Sequence, residues 1–231
     1  MSAQRLGGAD TPTPVGAGAL VRCTGRVDGD MGDATDGHGP ALRRRRAVLD
    51  RPWTSLRQVH GARVVAVACP GEGAGEEADA AVSAAAGVAL AVLSADCAPV
   101  ALAGDGGVIG VAHAGWRGLL GGVLEATVAA MRAMGGDRIG GVLGPCIHAE
   151  CYEFGARELG LVVDRYGSQV AAEDRHGRPA LDLPAAVRVA LADERVSLVG
   201  DLDVCTACSP GHWSWRAGRD RARQATVVWV P

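Results

Sequence analysis

Three side chains with donor or nucleophile chemistry stand in three separate short motifs. His60 lies in Gln58-Val59-His60-Gly61, Cys97 in Ser94-Ala95-Asp96-Cys97-Ala98-Pro99, and His113 in His113-Ala114-Gly115-Trp116-Arg117-Gly118. Each falls where an apolar run gives way to a turn, beside Gly or Pro, and strand ends carried on a rigid scaffold are where sites are built. Two imidazoles and one thiolate suit a single zinc or copper ion. Three protein ligands leave a fourth position for water or substrate, the arrangement of a catalytic zinc. The competing chemistry needs no metal: Cys97 attacks and His113 serves as its base.

The remaining candidates are weaker by spacing. Cys205-Thr206-Ala207-Cys208 is a CxxC. No second CxxC completes a zinc site and no thioredoxin-like context surrounds it, so Cys205 reads as a strand-end residue near the cleft and Cys208 as incidental. Cys146 and Cys151 flank His148, which reads as a loop with one pocket-lining member. Arg117 precedes a helix and could hold a phosphate or carboxylate, and Arg216 in Ser214-Trp215-Arg216 could clamp an anionic group. The Arg43-Arg44-Arg45-Arg46 run reads as a solvated helix face, because no aromatic residues interleave it for stacking on bases. The Asp/Gly-rich stretch 27–39 reads as a turn-rich surface loop; it lacks the terminal bidentate Glu of a calcium loop.

The elements that must position these residues follow from the apolar pattern. Strands are expected over Leu20–Arg26, Ser55–Val59, Arg63–Ala68, Val88–Ser94, Val108–Ala112, Ile139–Leu143, Ser197–Leu202 and Ala225–Val230. Helices are expected over Ala41–Leu49, Leu119–Met134, Arg157–Tyr166 and Pro184–Ala192, the last capped by Asp182. Gly104-Asp105-Gly106-Gly107 predicts a hairpin joining Val88–Ser94 to Val108–Ala112. Residues 1–19 read as a flexible lead-in and 20–231 as one domain.

The chain has 231 residues, a hydrophobic fraction of 48%, and a net charge of −3 in which every base is Arg. The length is ample for one core, and the charge gives no global attraction to nucleic acid or anionic membrane. Aromatics are 3%, so the core must be Val, Leu and Ala. The odd count of seven cysteines and the lack of a basic-then-apolar opening argue for reduced thiols in a cytoplasmic protein. No apolar run reaches the roughly 20 residues that span a bilayer. Oligomeric state is not encoded in any of these features.

Taken in order, the three motifs, together with Gly144-Pro145-Cys146-Ile147, Tyr152-Glu153, Cys205-Thr206, Ser214-Trp215-Arg216 and Arg223-Gln224-Ala225, resemble the laccase-domain family. That family is named for purine nucleoside phosphorylase activity, was formerly called multicopper polyphenol oxidase, and includes peptidoglycan editing factors. The resemblance spans about residues 20–230. It implies an α/β single domain, a three-layer sandwich with a mixed central sheet between helices. It implies zinc, with copper as the alternative, on His60, Cys97 and His113, which would also be the catalytic residues. The implied reactions are purine nucleoside and methylthioadenosine phosphorolysis and adenosine deamination, with a purine nucleoside and phosphate as partners. The alternative is amidase-type editing of a peptidoglycan precursor by Cys97 or metal-bound water. Substrate contacts are expected from Arg26, Arg117, Cys146, Tyr152, Thr206 and Arg216. Two regions depart from the family pattern: Thr24-Gly25-Arg26-Val27-Asp28 replaces an Arg-Gly-Gly-Val-Ser-like stretch, and Trp215 and Ala222 replace Tyr and Gly. Six histidines, only two of them in the motifs, argue against a four-copper laccase, and a copper phenol oxidase ranks last.

Overall fold

The structure, a computed structural model, describes residues 4–5, 12–32 and 39–231. Its elements in chain order are β1 (Gln4–Arg5), β2 (Thr13–Gly16), β3 (Ala19–Cys23), α1 (Pro40–Val48), β4 (Trp53–Ser55), β5 (Val64–Ala66), β6 (Ala80–Ser83) and β7 (Ala89–Ser94). There follow β8 (Ala98–Gly104), β9 (Val108–Ala114), α2 (Trp116–Gly121), α3 (Val123–Ala133), β10 (Gly140–Leu143) and α4 (Ala156–Tyr166). The chain continues through β11 (Ala171–Glu173), β12 (Pro179–Leu181), α5 (Leu183–Asp193), β13 (Ser197–Asp201), α6 (Trp215–Gly218) and β14 (Gln224–Trp229).

Two sheets are stacked in the middle. One has seven strands in the order β1-β13-β10-β8-β9-β6-β5, and the other five in the order β2-β3-β14-β7-β4. Both are mixed: β8 runs antiparallel to β9 and β10, while β10 is parallel to β13 and β4 parallel to β7. The pleat sorts the side chains. Val100, Leu102 and Ala112 face Leu119, Leu124, Val128 and Met131 of the helical layer. Ala101, Ala103, Ile109 and Val111 face Leu90, Val92 and Val228 of the second sheet. The outer face of that sheet packs Ala91 and Val227 against Trp53, Met31 and Val48. The single α/β domain with a mixed sheet between helices is therefore present, with a doubled sheet at its centre. Small residues set the layer spacing: a Cβ added at Gly110 would lie 2.7 Å from Met131 Sδ.

Several expectations need correction. The Gly104–Gly107 turn does close a hairpin, but its first arm is β8, not Val88–Ser94, which goes to the other sheet. Pro99 obscures β8 in the sequence. It stands at the N-terminal end of the strand, one residue inside it, close to the position where strands best accept proline. The helix expected over Leu119–Met134 starts earlier and is broken at Gly122, whose φ of +83° is left-handed, a conformation open to glycine without strain. The lead-in expected over 1–19 contains β2, an edge strand on β3, and β1, parallel to β13; residues 1–3 and 6–11 lie outside the described residues, as do 33–38 of the expected surface loop. Asp182 caps α5 as anticipated, accepting from Ala185 N at 2.8 Å. No described helix is long and apolar enough to cross a membrane.

Candidate active site

Register brings the first two donors together. In the β8–β9 hairpin Ala98 pairs with Ala114 and Pro99 with His113. Cys97, just before β8, and His113, near the end of β9, therefore share the face that looks toward the second sheet. Cys97 sits on the crossing from β7 in one sheet to β8 in the other, at one end of the sandwich. Asp96, the residue before it, has φ +100°, a rare conformation for a residue with a side chain and one that persists only when its surroundings hold it.

Asp79 is the residue that motif reading missed. It precedes β6, and His113 N donates to its backbone carbonyl at 2.7 Å. Its side chain is fully buried. Oδ1 accepts from His113 Nδ1 at 2.8 Å and His60 N at 2.9 Å, and Oδ2 from Val59 N at 3.1 Å and Gly61 N at 2.7 Å. One carboxylate thus fixes the His113 ring and closes the Val59-His60-Gly61 turn, where His60 has φ +60°. No local signal marked it: only the β6–β9 register sets Asp79 across from His113, one step before the Ala80–Ala112 pair.

The three donors converge. Their ligand atoms all lie within 4.8 Å of one another; Cys97 Sγ is 3.8 Å from His60 Nε2, and the imidazoles meet edge to face with centroids 4.9 Å apart. Burial pushes the Cys97 thiol up, but the His113 charge and hydrogen bonds from both imidazoles outweigh it and bring it down to about 6. Burial opposes the charge on His113 too, and the Cys97 thiolate and Asp79 raise it to about 9. Thiolate and imidazolium therefore favour each other. The donor set also fits a metal: a soft thiolate, two imidazoles, and an Asp79–His113 bond that leaves Nε2 for the ion, the usual outer support of a ligating histidine.

Gly115 leaves too little room for a side chain unless the donors shift. A Cβ there would lie 3.0 Å from His60 Cδ2 and 3.1 Å from Cys97 Sγ. Gly115→Ala is expected to leave the fold intact but to push the donors apart. Metal affinity should fall by 10-fold or more, the scale of change when groups that orient ligands are disturbed. Competition with a chromophoric chelator measures it, and unchanged affinity would refute the packing argument.

A cleft of about 510 Å³ opens over the donors, bordered also by Gln58, Ser94, Tyr152, Trp215, Arg216 and Arg223. Gln58 is locked by a paired bond to the Leu93 backbone, donating to its carbonyl at 2.6 Å and accepting its N–H at 2.8 Å. Asp96 assembles the opposite wall. It accepts from Thr206 Oγ1 at 2.7 Å, Ser214 Oγ at 2.7 Å and Arg216 N at 2.6 Å. Arg216 stacks over Tyr152, 5.1 Å from the ring centre. Burial pushes the Tyr152 phenol up, and the Cys97 charge adds to this, so it stays a proton donor.

Of the residues expected at the site, the fold brings His60, Cys97, His113, Tyr152 and Arg216 to the cleft. The others stand elsewhere. Thr206 is buried behind the wall on Asp96. Arg26 is paired with Asp220 at 2.7 Å and stacked on Trp213. Arg117 lies over Trp116 outside the cleft lining. Cys146 is buried in the core beside Cys205. Arg223 and Ser94, which stood inside quoted motifs without being named as site residues, also line the cleft.

The sequence signature of the family described as multi-copper polyphenol oxidoreductase laccase matches residues 25–231. A Streptomyces coelicolor protein called purine nucleoside phosphorylase SCO2081 is 41% identical over 179 residues, covering 76% of this chain and 74% of its own length. Escherichia coli purine nucleoside phosphorylase YfiH is 37% identical over 181 residues, covering 76% and 72%. Among solved structures, Neisseria meningitidis protein NMB0706 superposes with a TM-score of 0.82 at 29% identity, covering 94% of this chain and 96% of that one. YlmD from Geobacillus stearothermophilus gives 0.80 at 26%, covering 94% of each.

Proposed function

The chain belongs to the multi-copper polyphenol oxidoreductase laccase family, and we propose that it is a purine nucleoside phosphorylase working at the His60–Cys97–His113 cleft. The observation that carries this reading is the joint presence of that donor trio, the Arg216 guanidinium and the Trp215 indole around one cavity. Its volume lies in the range of small-molecule sites. Trp215 is 45% exposed and offers a stacking surface for a purine. Arg216, held by its backbone on Asp96 and by its guanidinium on the Glu153 carbonyl, is placed to seat phosphate, as guanidinium suits tetrahedral oxyanions. The Ser94 hydroxyl, buried with no partner among the described residues, is an open place for a sugar hydroxyl. In the reaction a phosphate oxygen forms a bond to C1′ as the bond to the base nitrogen breaks. The electron pair leaves with the purine, which the protonated Tyr152 phenol can stabilise by donating a hydrogen bond. His60, Cys97 and His113 would hold zinc, which would supply Lewis-acid polarisation of a bound oxygen.

A multi-copper oxidase needs more imidazoles than the site has. Among the described residues two groups of metal donors occur, and only one contains histidine. The test is inosine or adenosine with phosphate. Free base and pentose 1-phosphate should form in equal amounts and only with phosphate present; adenosine converted to inosine without phosphate would report the deaminase activity. Metal-loaded protein that releases no base from either nucleoside would refute the phosphorylase reading.

One observation favours a second reading. Asp79, His113 and Cys97 form the orienter, base and nucleophile series of a cysteine hydrolase, which suits amide cleavage in a peptidoglycan precursor. Phosphate-independent release of an amino acid from such a precursor separates it from phosphorolysis.

A further inference from the structure

We propose that Glu150, Cys151, Cys205 and Cys208 form a second metal site, a closed tetrahedral zinc centre behind the wall of the cleft. In sequence the CxxC lacked its other half. The fold supplies it from 54 residues away, a separation about equal to a small domain's span of chain. The parallel bridge between Cys146 and Cys205 carries the chain from Ile147 into the short turn Ala149–Cys151, directly against the CxxC turn. The four donor atoms all lie within 4.8 Å of one another. Cys151 Sγ is 3.2 Å from Cys208 Sγ, and Cys208 Sγ is 3.6 Å from Glu150 Oε1. Zinc–sulfur bonds of about 2.3 Å at tetrahedral angles put sulfurs about 3.8 Å apart, so the cluster is close to the required size.

The local backbone supports ligation. The Cys205–Cys208 turn is closed by Cys208 N and Ser209 N donating to the Cys205 carbonyl at 3.2 and 2.9 Å. His148 N donates to Cys205 Sγ at 3.4 Å. A backbone donor on a CxxC sulfur helps to spread the charge of a thiolate. Arg175 adds a cation from outside: its guanidinium bonds the sulfurs of Cys151 and Cys208, and its Nε donates to the Glu150 carbonyl at 3.1 Å. Three thiolates and a carboxylate around zinc leave net negative charge, which an exposed arginine offsets as an outer-shell partner. Four protein ligands leave no open position, which is the mark of a structural site. Its place explains its use. Cys151 precedes Tyr152 of the cleft, and Thr206, inside the CxxC, holds Asp96. Zinc here would pin both to one point.

The test separates this site from the one in the cleft. Reduced Cys97→Ala protein, in which the cleft site has lost its thiolate, is expected to retain about one equivalent of zinc through gel filtration. Adding Cys208→Ser should remove it; Cys208 is exposed, and circular dichroism verifies the fold. In the unsubstituted chain, zinc should protect Cys151, Cys205 and Cys208 from alkylation, and a chelator should expose them. The proposal is overturned if reduced Cys97→Ala protein holds no zinc while these thiols alkylate equally with and without the metal.

Discussion

Asp79→Asn is expected to lower stability by about 3–5 kcal/mol, the cost typical of breaking a buried charged pair from one side, and to abolish turnover. Four donors converge on this carboxylate: three backbone N–H groups and the His113 ring. An amide of the same shape has one acceptor oxygen, and its NH₂ must face donors. At least one N–H is left buried without a partner, at about 1–3 kcal/mol each, and the His113 ring loses its orienting charge. The same change releases the His60 turn, so the donors lose their convergence even in molecules that remain folded. Urea denaturation reads the stability and metal analysis reads the site. A loss below about 1 kcal/mol with full metal content would show that Asp79 is not what holds the site together.

Cys97→Ala should lower kcat/KM by about 10³-fold or more, the scale expected when a residue acting directly at the reacting centre is removed. Little loss of stability should accompany it, because Cys97 is only partly buried and the neighbouring Asp96 stays anchored by Thr206 and Arg216. Cys97→Ser distinguishes the two roles open to the thiolate. A hydroxyl is a poorer zinc ligand and a far weaker nucleophile, so either role predicts a large loss. Metal content divides them: loss of metal together with activity marks a ligand, and loss of activity with metal retained marks a nucleophile. Full activity in Cys97→Ser would exclude both.

The sequence by itself determined the donor trio and most of the elements that carry it. His60, Cys97 and His113 stood beside Gly and Pro at the ends of apolar runs, and these are local signals readable one segment at a time. The helices Pro40–Val48, Ala156–Tyr166 and Leu183–Asp193 were readable for the same reason. The tertiary structure alone decided partnership. Val88–Ser94 and Ala98–Gly104 are both apolar and adjacent in the chain, yet they lie in different sheets, because an all-apolar strand carries no pattern that says which neighbour it pairs with. That crossing places Cys97 beside His113. Asp79 looked like one more acid in an Ala-rich stretch until the ladder set it opposite His113. Arg26 and Arg117 looked as suited to an anion as Arg216 did, and only the packing sets Arg216 in the cleft lining while Arg26 lies on Trp213 and Arg117 on Trp116. The CxxC looked incomplete because its partners come from another segment. In each case the deciding contact joins residues far apart in sequence, and long-range pairing is set by the burial and register of the whole sandwich, which no local window contains.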